Sequence, residues 1–330
     1  MSHPRVLFVA DAGPQVGGGH VMRSLTLANV LSARGAACAF AATPAVAALL
    51  DVFASPDIQR VEGAGAFGAD RVVLDHYGLS AAEQASIAGE RAIVVIDDMA
   101  DRLLAADLVV DMGQNRSARD YAGLVRPGTR LLIGPGFALV RPEFAQAREA
   151  ALTRRRQAGP VRRVLVSLGL TDVGGVTERV IRLAATLLAG CEIDVVVGEE
   201  TASFAQLSVY GSPLLRLHSQ VRDMARMMTE ADLSIGAGGS TGWERCTLGL
   251  PSLVVVIADN QEPSAQALAA AGAALVVDAR DANFEADLQA MLARLAGDAD
   301  LRLQFAETSA AICDGQGAGR VAEACLRLVS

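Results

Sequence analysis

Ile235-Gly-Ala-Gly-Gly-Ser-Thr-Gly-Trp-Glu-Arg-Cys-Thr-Leu-Gly-Leu-Pro-Ser-Leu-Val-Val-Val-Ile-Ala-Asp-Asn-Gln261 decides how this chain is read. It runs as strand, glycine turn, helix start, second strand and polar tip. Asp232 to Ile235 supply a short strand, and Gly236, Gly238 and Gly239 remove side chains where the backbone turns and a ligand approaches. Ser240 and Thr241 open a helix, whose unpaired N–H groups and partial positive charge suit a phosphate without any lysine. Glu244 shares their helix face by four- and three-residue offsets, and its carboxylate is able to accept two hydrogen bonds from a ribose diol. Ser252 to Ile257 is almost wholly apolar, as in a buried parallel strand. It stops at Asp259-Asn260-Gln261, on the edge where open α/β sheets bind ligands. Glycine-rich turns also occur in α/β proteins without a ligand, but polar groups converging on one edge favour a nucleotide diphosphate site.

Composition narrows the partners. A chain of 330 residues exceeds the usual single core, so two domains are expected. A net charge of -8 argues against nucleic acid. The basic clusters Arg154-Arg155-Arg156 and Arg162-Arg163 flank an apparent linker and read as solvated surface. All 29 basic residues are arginine, which excludes a lysine-dependent phosphate loop or Schiff base. Cys38, Cys191, Cys246, Cys313 and Cys325 are widely spaced and read as small buried apolar residues rather than a disulfide or zinc framework. Met1-Ser-His-Pro-Arg leads straight into a strand, and no apolar run is long enough to span a bilayer. A soluble cytoplasmic protein without membrane insertion is the expectation.

Short apolar runs alternate with alanine-rich helical stretches. In the first half the strands are Val6 to Ala10, Cys38 to Ala42, Val72 to Leu74 and Ala92 to Ile96, with helices over Val21 to Ala33 and Ala81 to Ala88. The second half restarts at Val164 and ends in three helices, the last over Arg320 to Val329. The pattern predicts an α/β fold of parallel sheets wrapped by helices. The expected domains are 1–150 and 151–315, with 316–330 a terminal helix that returns to the first. The polar stretch after Pro142, through Gly159-Pro160, reads as the linker.

A second glycine loop opens the first half: Val6-Leu-Phe-Val-Ala-Asp-Ala-Gly-Pro-Gln-Val-Gly-Gly-Gly-His-Val-Met-Arg23. It fails as a dinucleotide fingerprint, since Met22 stands where the last glycine belongs and no acidic residue follows about twenty positions on. His20 instead stands at the helix start, with Arg23 one turn further on the same face. A histidine titrates in the range suited to a general base, and a helix N-terminus favours its neutral form. The alternative is a capping or satisfied buried imidazole. Asp75-His76-Tyr77 and Asp97-Asp98 end the next strands. Adjacent aspartates point to opposite faces, so turn and helix capping is expected there rather than a shared metal. Ser167-Leu-Gly-Leu-Thr-Asp172 forms a third strand-end loop, expected beside the diphosphate.

Gly17-Gly-Gly-His20-Val-Met-Arg23, Leu74-Asp-His-Tyr77, Ile96-Asp-Asp98, Leu132 to Phe144 and Gly236 to Gln261, in this order and spacing, carry a resemblance over nearly the whole chain. The chain resembles the nucleotide-sugar hydrolase family of pseudaminic acid biosynthesis, which acts on UDP-2,4-diacetamido-2,4,6-trideoxy-β-L-altropyranose. That family is similar in turn to the glycosyltransferase that adds N-acetylglucosamine to lipid I. The resemblance implies a GT-B architecture, two Rossmann-like domains facing a central cleft, with UDP held mainly by the C-terminal one. It implies Glu244 on ribose, Gly239, Ser240 and Thr241 at the diphosphate, and backbone near Val221 against uracil. It further implies His20 as base, with Tyr77, Asn260 and Gln261 holding the sugar or the attacking water. Gly17, Gly19, Arg23 and Thr171 complete the expected substrate contacts. Leu170 and Val173 depart from the family's glycine and proline.

The reaction expected is water attack at the anomeric carbon with inversion, releasing UDP and free sugar, with no metal or cofactor. The partner is a UDP-linked diacetamido sugar and the chain a monomer or weak oligomer, while flagellin or another surface glycan lies downstream only by resemblance. A GT-B transferase passing the sugar to an acceptor, and a nucleotide-sugar binding protein without catalysis, are the rival readings.

Overall fold

The computed structural model describes residues 3–13, 16–157, 159–169, 171–208 and 212–328. The chain divides into two units, Met1–Pro142 with Gly315–Ser330, and Glu143–Asp314.

In the first unit, β1 (Arg5–Ala10), α1 (Gly19–Ser32), β2 (Ala37–Ala41), α2 (Pro44–Phe53) and β3 (Gln59–Val61) precede β4 (Arg71–Asp75), α3 (Ala81–Ala88), β5 (Ala92–Ile96), β6 (Leu108–Asp111) and β7 (Arg130–Ile133). The strands form one parallel sheet in the order β3-β2-β1-β4-β5-β6-β7. Winding reverses between β1 and β4, and such a reversal opens a crevice at the carboxyl ends of the two strands. The register places Ala10 opposite Asp75 there. Strand β5 is buried at every position, so it reads as a continuous apolar run rather than an alternation.

The second unit contains α4 (Pro142–Arg156), β8 (Arg163–Ser167), α5 (Val176–Leu187), β9 (Glu192–Val196), α6 (Ala202–Leu207), β10 (Leu215–His218), α7 (Met224–Glu230) and β11 (Leu233–Ala237). It continues through α8 (Thr241–Thr247), β12 (Ser252–Val256), α9 (Glu262–Ala270), β13 (Ala274–Asp278), α10 (Phe284–Gly297) and α11 (Ala299–Ile312). Its sheet is parallel in the order β10-β9-β8-β11-β12-β13 and reverses between β8 and β11. Val166 and Ile235 lie in a core that α5 and α10 cover with Val180, Ile181, Leu288 and Leu292. The final helix, α12 (Gly317–Leu326), belongs to the first unit and packs on α1. Val329, the expected end of that helix, lies outside the described residues.

The segment expected to be a linker is helix α4, and the first unit ends at Pro142 rather than near residue 150. Arg154, Arg156 and Arg162 are exposed as expected, whereas Arg155 is buried and Arg163 half-buried. Arg148 donates to the carbonyls of Thr247, Ala310 and Cys313, and Arg155, only 8 % exposed, donates to those of Met228 and Ala231. Burial lowers Arg155 to about 10. Arg154 and Arg163 pair with Asp232 and Asp194. Arg155 shares the buried face of the helix with Phe144 and Ala151, and such sparse apolar positions among arginines hide the helix from a hydropathy pattern. The cysteines are free, and four are buried as expected, while Cys191 is half-buried. Among the described residues no helix is long and apolar enough to cross a membrane.

Candidate functional site

In the first unit, the loop after β1 turns through Gly17, whose φ of 75° is left-handed and favours glycine. Gly13 and Gly17 exchange backbone hydrogen bonds across it. Gly19 begins α1, and His20 and Arg23 follow one turn apart on it, both buried. Nδ1 of His20 lies 2.5 Å from Oδ1 of Asp75, at the end of β4. Nε and Nη2 of Arg23 donate to the two oxygens of Asp75, each at 2.7 Å, and Ser24 Oγ donates at 3.2 Å. Asp75 has no exposed surface, and its lone pairs are occupied. Burial works against its charge, yet Arg23 and His20 together outweigh it and hold the carboxyl well below the ordinary range.

The network extends outward. Arg23 Nη1 donates to Asp98 Oδ2 at 2.8 Å, and Tyr77 Oη donates to Asp98 Oδ1 at 2.6 Å. The Tyr77 ring meets the imidazole edge to face, centroids 4.5 Å apart at 87°. Burial opposes ionisation of Asp98, but Arg23 and Tyr77 lower it below its ordinary value. Because Asp75 only accepts, the proton between it and His20 belongs on Nδ1. Nε2 then carries the lone pair, which is the tautomer a base needs.

In the second unit, Ala237 ends β11, Ser240 is the N-cap of α8 and Thr241 its first residue. None of Gly236, Gly238 and Gly239 has a left-handed φ, so the turn itself does not demand them. A side chain on Gly236 would overlap Arg245, and one on Gly238 would stand 3.1 Å from Gln261 Cβ. Only at Gly239 is the space beyond Cα open, which is the condition for a ligand to approach the backbone. Oε1 of Gln261 accepts from the N–H groups of Gly238 and Ile257, at 3.2 and 3.3 Å, tying the tip after β12 to the glycine turn. Glu244 is half-buried on α8, and Asn260 is exposed.

The structure thus brings His20 and Tyr77 together and groups Gly239, Ser240, Thr241, Glu244, Asn260 and Gln261 at one edge of the second sheet. Two expectations change. Arg23 is no open substrate contact, because its guanidinium is committed to two carboxylates. His20 is set by a carboxylate on Nδ1 rather than by its helix end alone. Thr171 is exposed in the loop after β8, beside Asp172, which caps α5 by accepting from Thr177 N at 3.0 Å. Val173 lies in a 3-10 turn leading to α5, and Leu170 lies outside the described residues. Val221 is half-buried just before α7. Asp75 and Asp98, central to the first constellation, escaped assignment as site residues. Strand order would have found Asp75, because only the β1–β4 neighbourhood sets it against His20.

Residues 186–318 match the glycosyltransferase family 28 C-terminal domain. The chain is 27% identical over 329 residues to the spore coat polysaccharide biosynthesis protein SpsG of Bacillus subtilis, covering 94% of this chain and 95% of that protein. It is 24% identical to the UDP-2,4-diacetamido-2,4,6-trideoxy-beta-L-altropyranose hydrolase of Campylobacter jejuni, over 81% of this chain and 97% of that one. It is 26% identical to the UDP-N-acetylglucosamine--N-acetylmuramyl-(pentapeptide) pyrophosphoryl-undecaprenol N-acetylglucosamine transferase of Xylella fastidiosa, over 69% and 68% of the two chains. The crystal structure of Acinetobacter baumannii MurG superposes with a TM-score of 0.67 at 18% identity, covering 98% of this chain and 100% of that one. The spinosyn rhamnosyltransferase SpnG complexed with thymidine diphosphate superposes at 0.65 and 18% identity, over 97% and 100%. With two parallel-sheet α/β units matched over nearly all of both chains, the chain has the GT-B fold.

Proposed function

We propose that this protein hydrolyses a UDP-linked diacetamido sugar, UDP-2,4-diacetamido-2,4,6-trideoxy-β-L-altropyranose, to UDP and the free sugar, as a step of pseudaminic acid biosynthesis. The second unit binds UDP, with Glu244 accepting from the ribose hydroxyls and the Gly239–Thr241 turn meeting the diphosphate. The first unit supplies the base. His20 Nε2 takes a proton from water, whose oxygen forms a bond to the anomeric carbon as the C1–O bond breaks. The bonding pair leaves with the β-phosphate oxygen of UDP, and the configuration inverts. Asp75 retains the Nδ1 proton by hydrogen bond and stabilises the imidazolium that forms. The transition state carries oxocarbenium character, and N–H groups at the turn offset charge developing on the leaving diphosphate. Tyr77, Asn260 and the amide NH2 of Gln261 hold the sugar or the water.

The observation that carries this reading is the 2.5 Å contact of His20 Nδ1 with a fully buried Asp75, which leaves Nε2 as the basic nitrogen. The similarity to the Campylobacter jejuni hydrolase along most of both chains supports the choice of substrate. The test is His20→Ala: turnover of this UDP-sugar is expected to fall by about 100-fold or more while UDP binding stays intact, and wild-type turnover would remove the base assignment.

The similarity to the Xylella fastidiosa transferase favours a second reading, transfer of the sugar from UDP to an acceptor hydroxyl. The same base and nucleotide groups would serve it. Release of free sugar in the absence of any acceptor separates hydrolysis from transfer.

A further inference from the structure

Arg245 lies on α8, at 3 % exposure. Its Nη2 donates to the Ala237 carbonyl at 2.7 Å and its Nη1 to Thr241 Oγ1 at 3.3 Å, so the guanidinium spans the two ends of the glycine turn. Nε is buried without a partner among the described residues. The absent side chain of Gly236 makes room for Nη1.

No carboxylate is among the hydrogen-bond acceptors given for this group. Arg23 faces Asp75 and Asp98. Arg155 and Arg302 bond carbonyls at the C-terminal ends of α7 and α10, where the helix dipole is negative. Arg245 points back toward the N-terminal end of its own helix, the positive pole, and both its acceptors are uncharged. Burial lowers its pKa from the ordinary guanidinium value, and the neighbouring Glu244 carboxylate offsets part of that. A buried cation on a positive pole, met only in part by Glu244, favours a further negative charge beside the turn.

We propose that Arg245 is the buried counter-charge of the ligand's diphosphate, a positioning residue that acts through the Ala237–Thr241 turn without touching the ligand. Two effects follow from the contacts. Its charge adds to that of the N–H groups at the turn. Because Thr241 Oγ1 accepts from Nη1, the hydroxyl proton of Thr241 is left to donate outward to a phosphate oxygen. This inference rests on the nucleotide reading of the second unit and deepens it.

Calorimetric titration of UDP and uridine into wild type, Arg245→Met and Arg245→Lys, in divalent-free buffer, tests it. Arg245→Met is expected to weaken UDP by about tenfold or more, the scale for losing an interaction with a charged group, while uridine changes by less than about twofold. Arg245→Lys is expected to restore most of the loss. A parallel fall in both ligands, or an unchanged UDP affinity, overturns the proposal in favour of a purely structural arginine. Should Arg245→Met not fold, Thr241→Val carries the test: it is expected to reduce UDP over uridine, and an unchanged ratio overturns the proposal equally. Failure of the wild type to bind either ligand would instead overturn the nucleotide reading itself.

Discussion

His20 and Asp75, 55 residues apart in the chain, meet at 2.5 Å because β1 and β4 are neighbours where the first sheet reverses its winding. The carboxylate receives the imidazole on one oxygen and Arg23 on both, so the ring is held from below while Nε2 remains for chemistry.

Asp75→Asn tests that arrangement. The amide can present its NH2 group to Nδ1 and reverse the tautomer, placing the ring proton on Nε2. Turnover is expected to fall by about 100-fold or more with UDP affinity unchanged. Equal turnover in the variant would show that the carboxylate does not set the base.

Glu244→Ala probes the nucleoside end. A hydrogen bond to a charged acceptor contributes about 1.5–3 kcal/mol, so uridine binding is expected to weaken by roughly 10-fold to 100-fold. 2′,3′-Dideoxyuridine, which lacks the diol, should bind both proteins alike. A matching loss for the dideoxy ligand would place Glu244 elsewhere than on the ribose.

The glycines of the second turn differ in what they do, and substitution should separate them. Gly236→Ala forces its methyl against Arg245 and is expected to cost about 1–3 kcal/mol of stability, as overpacking does. Gly239→Ala meets nothing within 4 Å, so unfolding should stay within about 0.5 kcal/mol of wild type while UDP affinity falls. Denaturant melts beside UDP titrations distinguish the two. A fully stable Gly236→Ala would contradict the packing around Arg245.

Buried acids give a pH prediction of known sign. Tyr121 Oη lies 2.9 Å from Asp97 Oδ2 and 2.7 Å from Asp111 Oδ2, but a phenol has one proton, so one contact needs a protonated carboxyl. Burial raises Asp111 above its ordinary value, with the Gly113 N–H, Tyr121 and Arg116 offsetting part of that, so its protonated form is favoured in the folded protein relative to the unfolded chain. Its contribution is present below the unfolded value, about 3.9, and is lost as pH rises through the folded value. Asp75, whose folded value is lowered, behaves oppositely: its contribution is present above about 3.9 and is lost as pH falls toward the folded value. Asp111→Asn mimics the protonated acid, and its stability should decline less than that of wild type as pH rises through the acid range. Parallel stability curves would show that burial does not raise Asp111.

Much of this was legible because periodic apolar strands and glycine loops are local signals. The strand ends, the two glycine turns and the position of His20 at a helix start depend on neighbours within a few residues. What was hidden depends on partners distant in sequence or on residues in unaccustomed roles. Asp75 becomes meaningful only through strand order. The helix over Pro142–Arg156 hides behind arginines whose guanidiniums end on carbonyls. Strands β6 and β7, four residues each, are too short to show a period. Gly236 reads as a turn residue, yet its lack of a side chain serves Arg245, nine positions on.

The most direct test of the central claim is incubation of the purified protein with UDP-2,4-diacetamido-2,4,6-trideoxy-β-L-altropyranose in oxygen-18 water containing EDTA, without acceptor, followed by NMR. The account predicts free sugar released with inverted configuration, the label in its anomeric hydroxyl and none in UDP. Label in the phosphate, retained configuration, or UDP binding with no release of sugar would contradict it.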